Sequence, residues 1–392
     1  MSRLPDLRLT GALTLVGETL EDAPLTLAEG RIAEGPAREV DLSGYWLLPG
    51  IVDLHGDGFE RHVRPRPSAP FPKPGALASA DAELAVNGIT TAFLAQSWSW
   101  EGGARSADEA EELIAAVAEA RGRLMADIRV QIRYETHLLE DHDRLLAAVR
   151  QHGVEYVVFN DHLPEALMLA ERRPDRFAVW AGSNGHTAES LLATVQAAAA
   201  EGPQVPDALA RLSARLAAEG VRLGSHDDGS AETRAFFRGL GARVCEFPTS
   251  RAAAEAARAA GEPVLMGAPN AVRGGSQAGN VAAMELIEDG LCDALVSDYY
   301  YPALAQAVWA VTDQRAAGFG AAWGLVSTRA AGVLGMADRG RLAPGLRADL
   351  VVMNPATRRV EGTVAQGRLT HLAGALGGRF VAAGLDRALA AE

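Results

Sequence analysis

Between Gly50 and about Gly340, short apolar runs of strand length alternate with stretches of helical length, and this alternation restricts the chain more than any other feature. The strand candidates are 47–54, 89–95, 128–135, 156–160, 222–225, 243–247, 263–267 and 294–297. Helical candidates fall between them, at 107–125, 144–151, 208–218 and 250–260. Eight buried strands alternating with helices predict an α/β fold closed as a parallel (β/α)8 TIM-like barrel. A doubly wound open sheet is the rival, but no G-x-G-x-x-G follows an early strand. Outside this region the texture differs. Residues 4–48 read as short strands separated by Gly and polar turns, and strand texture returns after Gly340 in "GRLAPGLRADLVVMNPATRRVEGTVAQGRLTHLAG". The expected organisation is a barrel over residues 50–340, inserted in a small β-sandwich domain built from both chain ends, 1–49 and 341–392.

A barrel of this kind carries its chemistry where the strands finish. The stretch "WLLPGIVDLHGDGFERHVRPR" ends the first strand in His55, with Asp57 two residues on. The third strand ends in Glu135, the fourth in His162, the fifth in His226 and the eighth in Asp298. Imidazoles and carboxylates are metal ligands, and such a set holds two divalent ions roughly 3.5–4 Å apart. Other readings stand beside this one. Arg133, on the same strand face, is a plain salt-bridge partner for Glu135, and His137 is a rival ligand. His142, His152 and His371 read as solvated surface, His186 as a helix-start residue and Cys245 as inert core. Trp98 and Trp100 read equally as pocket wall or as core. Basic residues follow the first strand at Arg61, His62, Arg64, Arg66 and Lys73, and Arg273 precedes Gly274 and Gly275 after the seventh. Arginine forks and Gly-rich turns bind phosphate, which makes Arg64, Arg66 and Arg273 the candidate substrate-phosphate ligands. Asp227 and Asp228 adjoin His226 and read as orienting groups.

Composition narrows the classes of partner. Formal charge is −13, which argues against nonspecific binding to nucleic acid or to an anionic membrane, since both need a basic field. Positive charge for an anionic ligand must therefore be local. No apolar run of about 18 residues suggests a membrane span. The start "MSRLPDLRLTGALTLVG" lacks a signal-peptide layout, and two cysteines suit a reducing cytoplasm, so cytoplasmic location is expected. An appended β-domain often leaves apolar surface to bury, which keeps a homo-oligomer open.

With His-x-Asp, Glu135, two later histidines and a last-strand Asp in place, the chain resembles the amidohydrolase superfamily, and "GRLAPGLRADLVV" resembles the C-terminal strand segment of that superfamily. The phrases "LLPGIVDLHGD", "PRP", "NGITT", "SHDD", "EFPT", "VLMGAPNAVRGGS", "GNVAA" and "SDYYYP" are similar to phosphonate-pathway diphosphatases associated with carbon–phosphorus lyase. That resemblance implies hydrolysis of α-D-ribose 1-methylphosphonate 5-triphosphate to the 5-phosphate and pyrophosphate, by a metal-bound hydroxide attacking the α-phosphorus. It further implies two divalent ions, zinc foremost with manganese or iron as alternatives. His55 and Asp57 would bind one ion, Glu135 would bridge, and His162 and His226 would bind the second. Asp298 would ligate a metal and act as general base. Two departures bear on the substrate: residues 163–205 differ from the family's usual segment, and Gln277 stands where histidine is expected. A C–N bond hydrolase acting on an anionic substrate is the alternative, and a metal-free binding scaffold is a third reading.

Overall fold

The computed structural model describes residues 3–66, 69–276 and 279–383, so Gln277 lies outside the described residues. Eight parallel strands follow one another in chain order: β1 (Ile51–Gly56), β2 (Ile89–Trp98), β3 (Asp127–Glu135), β4 (Tyr156–Asn160), β5 (Arg222–His226), β6 (Val244–Glu246), β7 (Val264–Gly267) and β8 (Ala294–Val296). The ring closes where β8 meets β1. There Asp298 N donates to His55 O at 3.0 Å, and Asp57 N donates to Asp298 O at 2.9 Å. Buried Asp53 pins the same seam, accepting from Ser297 N at 3.0 Å and Ser297 Oγ at 2.6 Å. Apolar side chains from β1, β2, β4, β6, β7 and β8 pack as one cluster, Val52, Leu54, Phe93, Tyr156, Val158, Val244, Leu265 and Val296 among them. The predicted closed barrel is therefore present.

The expected first strand, 47–54, is corrected. The run is two strands, Trp46–Pro49 and β1, parted at Gly50. Trp46–Pro49 pairs antiparallel with Leu350–Asn354 and belongs to a flanking sheet. Gly50 donates its N–H to Asp349 O at 2.9 Å, and a Cβ there would collide with the Thr90 side chain. Apolar residues on both sides of Gly50 conceal the boundary, because both strands are buried. Within β1, Asp53 pairs with Ala92 and Gly56 with Leu94, which leaves Leu54 and His55 facing Phe93 alone. This bulge turns the strand end at the residue that carries the imidazole.

Strands from both chain ends form two further sheets. One runs Arg31–Ala33, Leu25–Ala28, Leu7–Thr10, Arg38–Asp41; the other runs Arg368–Leu372, Arg359–Ala365, Leu350–Asn354, Trp46–Pro49, Leu13–Val16, Thr19–Asp22. Leu7, Leu9, Leu27 and Val40 of the first pack with Leu47, Leu350, Val352 and Val364 of the second, giving a sandwich with its own core.

Helices cover the barrel by ordinary amphipathic logic. Ala107–Ala120 starts at Ser106, whose side chain accepts from Glu109 N, and it buries Ala110, Leu113, Ile114 and Val117 at i, i+3, i+4, i+7 spacing. The divergent 163–205 segment folds as Leu163–Arg172, Pro174–Ser183 and Ala188–Ala200, packed on Trp100 around Phe177, Leu191 and Val195. Among the described residues, no helix is long and apolar enough to cross a membrane.

Candidate metal centre

The strand ends bring the expected ligands into two neighbouring groups. His55 and His226 face each other with ring centroids 5.3 Å apart, and Phe247 packs against both rings at 4.9 and 4.8 Å. They share a cavity of about 210 Å³ with Asp298, Asp227, Arg133 and Arg273. Asp57 adjoins this group through its backbone bond to Asp298. Glu135 and His162 form the second group, with His162 Nδ1 2.5 Å from Glu135 Oε1 and His162 N donating to Glu135 Oε2 at 3.2 Å. Buried Glu101 stands beside them, 3.7 Å from His162 Nδ1. Ligand-type atoms of Glu101, Glu135 and His162 all lie within 4.8 Å of one another, as do those of His55, His226 and Glu246.

Gly56 makes the first group possible. A Cβ on it would come within 2.6 Å of Ser297 Oγ and 2.7 Å of Asp53 Oδ2, so only glycine lets β1 approach β8 this closely between His55 and Asp57. Three residues at or just past strand ends, Asp227, Phe247 and Asp298, take left-handed φ of 61°, 49° and 56°. Such backbone is uncommon outside glycine, and it clusters here at the cavity.

Charge is arranged unevenly. Burial raises the Asp298 carboxyl, with the Asp57 charge beside it, to about 6. Burial would raise Glu135 too, but the His162 charge and hydrogen bond outweigh it and hold it below its ordinary value. His162 moves the other way: burial lowers it, yet Glu135 carries it above the usual imidazole value. His226 is lowered, by burial first. Its Nδ1 lies 2.8 Å from Asp227 Oδ2, whose charge works against that shift.

Sequence reasoning missed Glu246 and misplaced Arg133. Glu246, at the end of β6, is fully buried; its Oε2 meets His55 Nδ1 at 2.8 Å, and its Oε1 accepts from Gln131 Nε2 at 2.6 Å and Tyr156 OH at 2.5 Å. The strand-end rule that selected Glu135 selects Glu246 equally, since both acids close an apolar strand. Arg133 does not form the plain salt bridge with Glu135. Its Nη1 lies 3.8 Å from Asp57 Oδ2, its Nε is buried without a partner, and it lines the His55 cavity.

Other candidates separate. His137 Nδ1 lies 3.5 Å from Asp161 Oδ1 and lines a different cavity with Trp100 and Leu138. Trp98 is wholly buried and donates to Asp141 Oδ2 at 2.7 Å. Asp228 is tied to Arg234 at 3.0 Å and Ser225 at 2.6 Å. Of the three arginines, Arg273 lines the His55 cavity, Arg64 lines a second cavity and pairs with Glu109 at 2.6 Å, and Arg66 lines neither.

Comparison with known proteins agrees with this architecture. The amidohydrolase family matches residues 73–371. "Alpha-D-ribose 1-methylphosphonate 5-triphosphate diphosphatase" of Escherichia coli (strain K12) is 37% identical over 324 residues, covering 80% of this chain and 84% of that protein. Solved structures of the same fold include the β-aspartyl dipeptidase of Fervidobacterium islandicum AW-1, at 14% identity over 95% of this chain and 98% of that one, with TM-score 0.62. The N-acetylglucosamine-6-phosphate deacetylase of Pasteurella multocida aligns at 10% identity over 93% and 99%, with TM-score 0.59. With the family match spanning residues 73–371 and a 37% identical relative aligned over 80% of its length, the chain belongs to the amidohydrolase family.

Proposed function

We propose that the protein is a metal-dependent diphosphatase that hydrolyses α-D-ribose 1-methylphosphonate 5-triphosphate, the compound named in its Escherichia coli relative, to the 5-phosphate and pyrophosphate. The observation that carries the reading beyond the relative's name is the placement of Arg133 and Arg273 in one cavity with His55, His226 and Asp298. A polyphosphate needs fixed positive charge beside the reacting phosphorus, and a neutral amide does not.

Amidohydrolases are metal-dependent, and the residues present suit a divalent ion: imidazole and carboxylate atoms of His55, His226 and Glu246, and again of Glu101, Glu135 and His162, converge within 4.8 Å of one another. In this reading His55, Asp57, His162, His226, Glu135 and Asp298 would hold two ions, zinc foremost, with manganese or iron accommodated by the same donors. When bound, such ions supply Lewis acidity that makes water a nucleophile near neutral pH. The chain's own groups do the rest. Asp298, at the barrel seam beside His55, accepts the proton of the water that attacks the α-phosphorus. Arg273 and Arg133 balance charge on the departing pyrophosphate as the α-phosphorus–oxygen bond breaks. Glu246 is a positioning residue: both its oxygens are engaged, and its grip on His55 Nδ1 leaves Nε2 of that ring for the metal.

Buried free Cys245 and Cys292 accord with a reducing cytoplasm, which we take as the location. The deciding assay is pyrophosphate release from the ribosyl triphosphate by metal-loaded protein. Absence of release with both sites filled would refute the reading.

A further inference from the structure

The loop after β2 and the divergent 163–205 segment meet at Glu101. This carboxylate is fully buried, and its two oxygens are engaged differently. Arg105 Nη1 donates to both, at 3.0 and 2.9 Å. Trp180, on the Pro174–Ser183 helix, donates its indole N–H to Oε2 at 2.7 Å. Oε1, which Ser99 Oγ reaches at 3.3 Å, is the oxygen turned toward His162 Nδ1, 3.7 Å away. Two glycines let the loop and the segment come this close. Gly102 and Gly103 take left-handed φ of 73° and 56°; a Cβ on the first would come within 2.6 Å of His186 Nε2, and one on the second within 2.8 Å of Asn184 O. The segment is therefore tied to the centre twice: its first helix, Leu163–Arg172, starts directly after His162, and its second returns through Trp180 to Glu101.

We infer that Glu101 is a third protein donor to the second ion, beside Glu135 and His162, and that Trp180 is the residue that positions it. The inference rests on the two-ion reading and adds to its ligand set. Two donors about 2.1 Å from one tetrahedral ion stand about 3.4 Å apart. His162 Nδ1 and Glu101 Oε1, at 3.7 Å, are already near that spacing, and ligand atoms of all three side chains converge within 4.8 Å. Only the 2.5 Å approach of His162 Nδ1 to Glu135 Oε1 has to open for an ion to enter. Two buried carboxylates, Glu101 and Glu135, face one imidazole there, and a divalent cation among them offsets the cost of burying both charges. A ligand also needs a fixed orientation, which the Trp180 N–H and the Arg105 guanidinium supply to this carboxylate. The divergent segment thereby reaches the metal centre itself.

The test titrates cobalt(II) into the metal-stripped protein by calorimetry and follows the visible absorption of the bound ions, with no substrate present. Wild type should take up two equivalents. Glu101→Gln should keep the first and weaken the second at least about tenfold, with a changed band for the second ion that still binds. Because this variant removes the ion-pair partner of Arg105, the companion is Glu101→Gln with Arg105→Gln, in which no guanidinium is left over, and the same selective loss is expected. Trp180→Phe keeps an aromatic ring and removes the N–H, so it should weaken the second equivalent by a smaller factor. A second equivalent bound at wild-type affinity in the double variant overturns the donor role, as does equal loss of both equivalents, which marks a merely structural carboxylate. Wild-type affinity in Trp180→Phe overturns the positioning role. A wild type that binds fewer than two ions overturns the inference together with the two-ion reading, whereas two bound ions without pyrophosphate release refute the diphosphatase reading alone.

Discussion

Replacing Glu246 with glutamine tests the proposed centre at its most tightly specified point. The carboxylate is fully buried and meets three groups: Gln131 and Tyr156 at Oε1, and His55 Nδ1 at Oε2. In Glu246→Gln the amide oxygen can still accept from Gln131 and Tyr156, but the amide nitrogen then faces His55 Nδ1. A donor opposite that nitrogen forces it to become an acceptor, which moves the ring proton to Nε2, the nitrogen that should meet the metal. Loss of such an orienting partner lowers metal affinity about 10–100-fold, or roughly 1.4–2.8 kcal/mol. Gln131 offers one escape, because its own Oε1 is buried without a partner and its rotated amide could accept from the introduced amide group. The double variant Gln131→Met with Glu246→Gln closes that route and should show the full loss. Isothermal titration of metal into the stripped protein reads the affinity, and 15N NMR of the His55 ring reads the tautomer. Wild-type affinity in the double variant, with His55 Nδ1 still protonated, would refute the positioning argument.

Three further outcomes are expected. Asp298→Asn should lower kcat about 10²–10⁴-fold. In the metal-stripped protein the same change should stabilise the fold above about pH 7, by on the order of 1 kcal/mol, because a carboxyl raised to about 6 is costly to ionise there; near pH 4 the gain should vanish. Thermal denaturation at the two pH values checks the sign, and asparagine tolerates the left-handed φ of 56° at this position. Asp127 sits at the start of β3 among Arg339 at 2.6 Å, Arg129 at 2.9 Å and Arg347 at 3.5 Å. Burial would raise its carboxyl, but the arginines hold it well below the usual carboxylate range. Its stabilisation is therefore present above about pH 4 and lost as pH falls toward the depressed value, so Asp127→Asn should cost about 3 kcal/mol near neutrality and progressively less in acid, as urea melts would show. Gly56→Ala should lose metal stoichiometry before it loses secondary structure, since the added methyl pushes against Ser297 and Asp53 at the barrel seam; a fully loaded variant would show that the close approach is dispensable.

Much of the fold was legible because local pattern and global architecture agree. Strand runs such as Tyr156–Asn160 are buried throughout and apolar up to the closing Asn160, as expected of strands covered on both faces, and the intervening segments carry helical spacing and capping residues such as Ser106 and Ser250. The run across Pro49 and Gly50 misled for the same reason. Burial of both Trp46–Pro49 and β1 erases the polar break that would mark a boundary, and only pairing partners separate the strands. At the site, His55, Glu135, His162, His226 and Asp298 were readable as ligand-type residues at strand ends. Glu246 passed unnoticed although it obeys the same rule. The three arginines read as one phosphate cluster occupy three different places, because arginine identity carries no information about which wall of the rim each loop reaches.

Sequence alone determined the residue types and their periodicity, and periodicity suffices for a parallel barrel because side-chain alternation and helix spacing are local properties of the chain. Tertiary structure decided which of those residues meet. The seam between β8 and β1 brings Asp298 to His55, the barrel interior delivers Glu246 from β6 to the same imidazole, and Arg61 joins two cavities through Tyr299. Each of these contacts spans at least 191 positions of chain. Their geometry depends on strand stagger, a bulge and a glycine contact, and no local pattern encodes those.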